Sequence, residues 1–424
     1  MMESYKTVLD NGLRVIVSPQ KDNPAVTVLV LVETGSKYET KEINGISHFL
    51  EHMCFKGTKK RPTALAISTE LDEVGANYNA FTGHEYTGYY AKVDKNHFDK
   101  ALDVVSDIYL NQVFDEKEID KERGPVIEEI NMIADTPMRQ VADNFVTLLY
   151  GDQPAGMPIA GPKENIRILT REDFIQYRKD HYVPEATVVV ISGAVEQDVA
   201  MEKVKAIFSG MEKNPKKGKL PVSESQSEPM LHIAKKDSDQ THLVLGVRAY
   251  DRFDERRYAL EVLATALGDG MSSRLFSKVR EQMGAAYYVK AGADMYTDHG
   301  YLMAWAGVGN ARLLESIEAI IGEFKKFKEE EIGDKELQKV KDYIVGKMML
   351  GLETSDDVAF FYGEQELLDK KLVKADEIAE KIRSVSAKDV LAVARDIFQS
   401  DKLNLALIGP TTDESSLRAV LKID

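Results

Sequence analysis

Near its start the chain alternates apolar and polar residues in short runs, then changes to a helical spacing. Thr7-Val8-Leu9 and Leu13-Arg14-Val15-Ile16-Val17 flank Asp10-Asn11-Gly12. Asn-Gly supplies the positive φ angles of a tight turn, so the pattern predicts a hairpin. A further strand is predicted over Val26 to Val32. Apolar residues then recur at helical period from about Asn44 to Phe55, with Gly57 placed to end the run, and from Pro62 to Glu73, ending at Gly75. Tyr78 to Val93 reads as two strands. Helical patterns follow from Asn96 to Gln112 and from Glu116 to Tyr150. The second is expected to be interrupted at Gly124-Pro125 and at Asp135-Thr136-Pro137.

The later part of the chain echoes the earlier part. Segments starting at Thr170 and Ser386 each open with a hydroxyl N-cap, place an aspartate at N3 (Asp173, Asp389) and reach an aromatic at Tyr182 or Phe398. Each then enters a strand ending at Gly193 or Gly409, at one constant offset without a gap. A second echo pairs Val74-Gly75-Ala76-Asn77-Tyr78 with Met283-Gly284-Ala285-Ala286-Tyr287. Residues 213–229 are polar, with prolines and serines that cannot bury a core, so a linker is placed there between domains 1–212 and 230–424. Hairpins mixed with helices, without regular strand–helix alternation, indicate an α+β class with largely antiparallel sheets, in two homologous domains.

Composition narrows the function. At 424 residues, with 43% hydrophobic and 29% charged residues, the chain is ordinary globular material for more than one core. Its net charge of -15 argues against a protein that neutralises phosphates, so nucleic acid is not expected as a partner. Apolar runs such as Ala25 to Val32 are far below the ~18 residues of a membrane span. The amino terminus shows no pattern of a signal peptide, and one cysteine, Cys54, excludes an intrachain disulfide framework. The cytoplasm is the expected address. Cys54 itself reads as a small buried apolar residue, pointing away from the histidine face of its helix.

The candidate chemistry lies in Gly45-Ile46-Ser47-His48-Phe49-Leu50-Glu51-His52. Imidazoles four residues apart on a helix share one face about a turn apart, where both can reach one metal ion. Glu51, beside His52 and three residues from His48, can reach the open side of that metal and take a proton from water. A third ligand is needed, and the acidic helix from Glu122 to Glu129 is its natural source. Glu122 and Glu129 would share a face there, and Glu128 would not. His84, His97, His181, His232, His242 and His299 have no partner at ligand spacing and read as surface or satisfied histidines.

These residues resemble the inverzincin peptidases of family M16, which include pitrilysin, insulin-degrading enzyme and the mitochondrial processing peptidase. The family's His-x-x-Glu-His motif is met by His48, Glu51 and His52. Its ligand glutamate, at the family's distance downstream, falls on Glu129, and its accessory glutamate one heptad earlier falls on Glu122. Pro125 is a departure expected to kink or start the helix between them. Asn79-Ala80-Phe81-Thr82 resembles the edge strand that receives an extended substrate. Arg280 and Tyr287 resemble the pair that contacts the substrate carbonyl.

The resemblance implies a zinc-dependent endopeptidase of extended peptides with Glu51 as general base. It also implies a two-domain chain that closes a chamber as a homodimer. A noncatalytic scaffold or partner subunit of the same fold is the competing reading, and the intact set of His48, Glu51, His52 and Glu129 argues against it.

Overall fold

A computed structural model describes residues 3–423 of the chain. The chain forms two compact units, each drawn from three stretches. The first uses the chain up to Asn131, Met157–Leu220 and Met349–Lys374, and the second uses Met132–Gly156, Pro221–Met348 and the chain from Ala375 onward.

The sheet of the first unit contains β1 (Tyr5–Val8), β2 (Arg14–Pro19), β3 (Ala25–Val32), β4 (Asn77–Thr82), β5 (Thr87–Asp94) and β6 (Thr187–Gly193). Their spatial order is β1-β2-β6-β3-β5-β4. The predicted hairpin is β1 and β2, turning at Gly12 with φ of 95°. The second unit carries β7 (Met230–Lys235), β8 (Gln240–Ala249), β9 (Ala286–Met295), β10 (Gly300–Gly309) and β11 (Leu403–Gly409), in the order β7-β11-β8-β10-β9.

Without β1, the two orders are the same order. Each sheet is antiparallel apart from one parallel pair, β2 with β6 and β7 with β11. The repeated hydroxyl–aspartate segments form matching capping boxes at Thr170–Asp173 and Ser386–Asp389. Gly75 and Gly284, both at positive φ, turn the chain into the edge strands β4 and β9. The α+β duplication expected from sequence is therefore present in topology.

Each unit covers one face of its sheet with a helix from the other half of the sequence. Ser355–Glu364 lies on β3, β6 and β2, and Pro137–Tyr150 lies on β11, β8 and β7. Close approach there requires glycine. A Cβ at Gly363 would meet Leu31 Cδ1 at 2.8 Å, and one at Gly246 would meet Phe145 Cζ at 2.7 Å. On the other face of the first sheet, helix Phe98–Leu110 packs its buried face, including Ala101, Val104, Val105 and Ile108, onto β3 and β5.

Residues 212–229 contain no helix or strand, in keeping with their polar sequence. Even so, lysines tie this stretch to the first unit. Lys213 donates to Asp10 O (2.7 Å), Lys217 to Asp180 (2.6 Å) and Lys219 to Glu85 (2.6 Å).

His181 is neither on the surface nor satisfied. It is 6% exposed, lies against the Tyr177 ring at 4.4 Å, and its Nδ1 has no hydrogen-bond partner. Burial pushes the imidazole down to about 4; Asp180 pulls it up, and Lys217 and Lys216 push it down further. An unfolded histidine titrates near 6.5, so between about 4 and 6.5 the unfolded chain binds the proton and the folded chain does not. Stability is therefore full above about 6.5 and lost as pH falls toward 4, by about 3 kcal/mol from this residue. His181→Phe is expected to flatten the pH dependence of the unfolding free energy across that window, as measured by urea denaturation.

Candidate metal centre

Helix Ile46–Cys54 buries Ile46, Phe49, Leu50 and Met53 in the core and turns His48, Glu51 and His52 to the opposite side. Its N-cap, Gly45, has φ of 100° and no side chain with which to cap. A Cβ there would meet Ala160 O at 2.7 Å. The buried carboxylate of Glu39 supplies the cap instead, accepting from Gly45 N–H at 2.8 Å and Ser47 N–H at 2.7 Å. Cys54 does point away from this face. Its Sγ lies 3.4 Å from Tyr89 Oη, and burial pushes the thiol up to about 11.

The facing helix, Glu116–Asp135, corrects the expectation that the pattern is interrupted at Gly124-Pro125 or that a helix starts there. The proline sits inside the helix, which ends only at Asp135, and Pro137 then opens the next one. Two features explain this. Gly124 has no Cβ to clash with the proline ring, and Pro125 is exposed, so the carbonyl that loses its partner can bond water. Buried Ile119 and Val126 hold the turns on either side against the core.

That unbroken helix brings Glu122 and Glu129 to the histidines. His48 Nε2 and His52 Nε2 lie 3.4 and 3.6 Å from Glu129 Oε2. The two imidazoles meet edge to face with centroids 4.7 Å apart. All three donor atoms fall within 4.8 Å of one another. Ligands at about 2.0–2.1 Å around a tetrahedral zinc stand about 3.3–3.4 Å apart, so the histidine–glutamate spacings suit one such ion. Glu128 is exposed and accepts a hydrogen bond from Asn131 instead.

Behind the ligands, His52 Nδ1 and Glu122 Oε1 are 2.9 Å apart, and Lys56 Nζ lies 2.6 Å from Glu122 Oε2. A proton on Nδ1 donated to Glu122 leaves the Nε2 lone pair for a metal. His48 Nδ1 is buried without a hydrogen-bond partner, so this support reaches only His52 directly.

The carboxylates differ in character. Burial pushes Glu51 above its ordinary range, and the Thr82 hydrogen bond and the imidazoles only partly offset it. Burial also pushes Glu122 upward, but hydrogen bonds from His52 and Lys56 outweigh it and hold Glu122 below that range. Burial depresses His52, yet Glu122, Glu51 and Glu129 outweigh it and raise its proton affinity. The same negative field attracts a divalent cation.

The other sequence candidates lie elsewhere. Asn79, Ala80 and Phe81 are on β4, an edge of the first sheet, where Asn79 Oδ1 accepts from Ala80 N–H at 2.9 Å. Phe81 packs its ring against Tyr86 and Phe360 and pairs with Gly88 of β5. Arg280 and Tyr287 belong to the second unit. Arg280 is exposed near the end of the π-helical turn Phe276–Gln282, its guanidinium 4.8 Å from the Phe276 ring centroid, and Tyr287 is 76% exposed on edge strand β9.

Sequence reasoning did not single out Lys56 or a role for Thr82. Lys56 follows His52 by four residues, a spacing that could have drawn attention to it. Only the fold shows that Thr82 reaches Glu51, at 2.6 Å.

Two imidazoles and a carboxylate beside a further glutamate, on a duplicated α+β fold, define a class of metal-dependent hydrolases. Known proteins bear on the particular family. The insulinase (peptidase family M16) profile matches residues 14–163, and the profile described as the peptidase M16 inactive domain matches residues 169–344. The zinc protease YmxG of Bacillus subtilis is 38% identical over 95% of this chain and 97% of its own. A zinc protease of Streptomyces coelicolor is 34% identical over 97% of this chain and 91% of its own. A protease structure from Helicobacter pylori shares the fold with a TM-score of 0.90 at 24% identity, over 96% of this chain and 100% of that one. The chain belongs to peptidase family M16.

Ligand exchange separates the acidic residues. Glu129→Gln is expected to weaken zinc binding by at least about 100-fold and Glu122→Gln by about 10–100-fold, while Glu128→Gln leaves it unchanged. Competition with a chromogenic chelator measures all three.

Proposed function

We propose that this chain is a zinc endopeptidase that cleaves extended peptides, with Glu51 as general base. The carrying observation is the convergence of His48, His52 and Glu129, with Glu51 on the same face of the helix that bears both histidines. The names of the relatives support zinc as the ion. Zinc held by these three side chains supplies a Lewis acid for the scissile carbonyl and for the attacking water.

The chain's own residues do the rest. Glu51 takes a proton from the water and delivers it to the leaving amine. Glu122 and Lys56 hold His52 in the liganding tautomer. The substrate backbone adds as a strand along β4, whose outer edge has no partner strand among the described residues. Arg280 and Tyr287, exposed on the second unit, are assigned to the oxyanion of the tetrahedral intermediate. A noncatalytic scaffold would have no need of the ligand triad together with Glu51.

No helix among the described residues is long and apolar enough to cross a membrane. The one cysteine, free and buried, fits a reducing compartment, and we assign the cytoplasm. Glu51→Gln is expected to retain zinc while hydrolysis of a fluorogenic peptide falls to background. Zinc analysis beside the assay checks both halves of that statement.

The proposed assembly is a homodimer closing a chamber. Each site would join the metal cluster of one protomer to Arg280 and Tyr287 of its partner. Subunit exchange tests this. Mixing Glu51→Gln protein with an Arg280→Ala, Tyr287→Phe double variant gives mixed dimers that each hold one intact site, which restores roughly a quarter of wild-type activity. Activity that stays at background after verified exchange excludes the shared site and leaves the zinc assignment intact.

A further inference from the structure

Glu51 is steadied from outside its own helix. Thr82 Oγ1 donates to Glu51 Oε2 at 2.6 Å, and among the described residues no other protein donor bonds this carboxylate. Oε1 is left for water and substrate. A hydrogen bond to an ionised carboxylate is short and directional, so it fixes the plane in which the free oxygen lies.

The donor stands on firm backbone. Thr82 is the last residue of β4 and pairs with Thr87 across the ladder. The turn that follows is closed by Gly83 N–H to Tyr86 O at 2.8 Å. That turn is fastened to the segment after β3: Ser36 N–H donates to Gly83 O at 3.3 Å, and Lys37 N–H donates to His84 O at 2.9 Å. A side chain at Gly35 would close the gap, since its Cβ would meet Gly83 O at 2.2 Å. The hydroxyl is therefore aimed before any substrate arrives.

We propose that Thr82 is the positioning residue of the general base, tying the Glu51 carboxylate to the strand on which the substrate is laid. A peptide that pairs with β4 then meets a base already registered to that strand, and a shift of the strand end displaces the base with it. The inference rests on the reading of Glu51 as the base. It differs from a merely stabilising hydrogen bond in what it predicts. Loss of the hydroxyl should slow turnover without disturbing the metal or the fold, because valine is well suited to a strand position.

The test uses the full-length zinc protein and the variants Thr82→Val, Thr82→Ser and Glu51→Gln. Zinc per chain, melting temperature, kcat and KM on a fluorogenic peptide, and the inhibition constant of a peptide hydroxamate are measured. The hydroxamate is included because its hydroxyl needs an acceptor carboxylate in place.

Thr82→Val is expected to keep wild-type zinc and melting temperature and to hold KM within about two-fold, while kcat falls about 10–100-fold. Hydroxamate binding should weaken about ten-fold in parallel. Thr82→Ser should restore kcat to within about three-fold, and adding Thr82→Val to Glu51→Gln should slow it no further. Wild-type kcat in Thr82→Val beside an inactive Glu51→Gln overturns the role of Thr82 and leaves the base standing. Full activity in Glu51→Gln overturns the base assignment itself. Loss of zinc or of melting temperature in Thr82→Val makes the bond structural and overturns the proposal as well.

Discussion

Two imidazoles a turn apart on one helix converge on a common point, but the third ligand comes from a second helix, so the metal centre depends on how that second helix is held. Glu116–Asp135 continues as one helix from Glu122 to Glu129, so that one residue bonds His52 Nδ1 while the other faces both Nε2 atoms. The buried contacts of Ile119 and Val126 and the absent side chain of Gly124 let the helix continue through Pro125. The first helix is fixed just as firmly, because the Glu39 carboxylate caps amides that Gly45 cannot cap itself.

Within this frame three glutamates divide the work according to their surroundings. Glu122 has two cationic or donating neighbours and stays ionised, so it serves as an acceptor that orients His52. Glu51, the proposed general base, has one neutral donor, Thr82, and burial raises its proton affinity in the metal-free chain. Glu129 faces the imidazoles on the open side of the cluster. The helical period puts the glutamates within reach; the neighbours set which does what.

The duplicated halves are not independent in construction. Each sheet is covered on one face by a helix from the opposite half of the sequence, and Gly363 and Gly246 let helix and sheet approach closely there. Such an exchange leaves no trace in hydropathy, because an amphipathic helix does not say which sheet its apolar face will meet. The same limit applies to Thr82, whose hydroxyl in a strand reads as an ordinary β-branched residue until the fold places Glu51 beside it.

The sequence alone determined what depends on local spacing. Periodicity placed the strands and helices, the hydroxyl–aspartate caps exposed the duplication, and the interval between His48 and His52 put both imidazoles on one face. Resemblance then selected Glu129 over its neighbour. Only the tertiary structure decided what depends on distant partners: the continuity of the helix through Pro125, the exchange of covering helices, the capping by Glu39, and the bonds from Lys56 and Thr82 that orient Glu122 and Glu51. The division has a physical cause. Backbone spacing acts over one or two turns of chain, whereas desolvation and hydrogen bonding act between groups that meet only once the chain has folded.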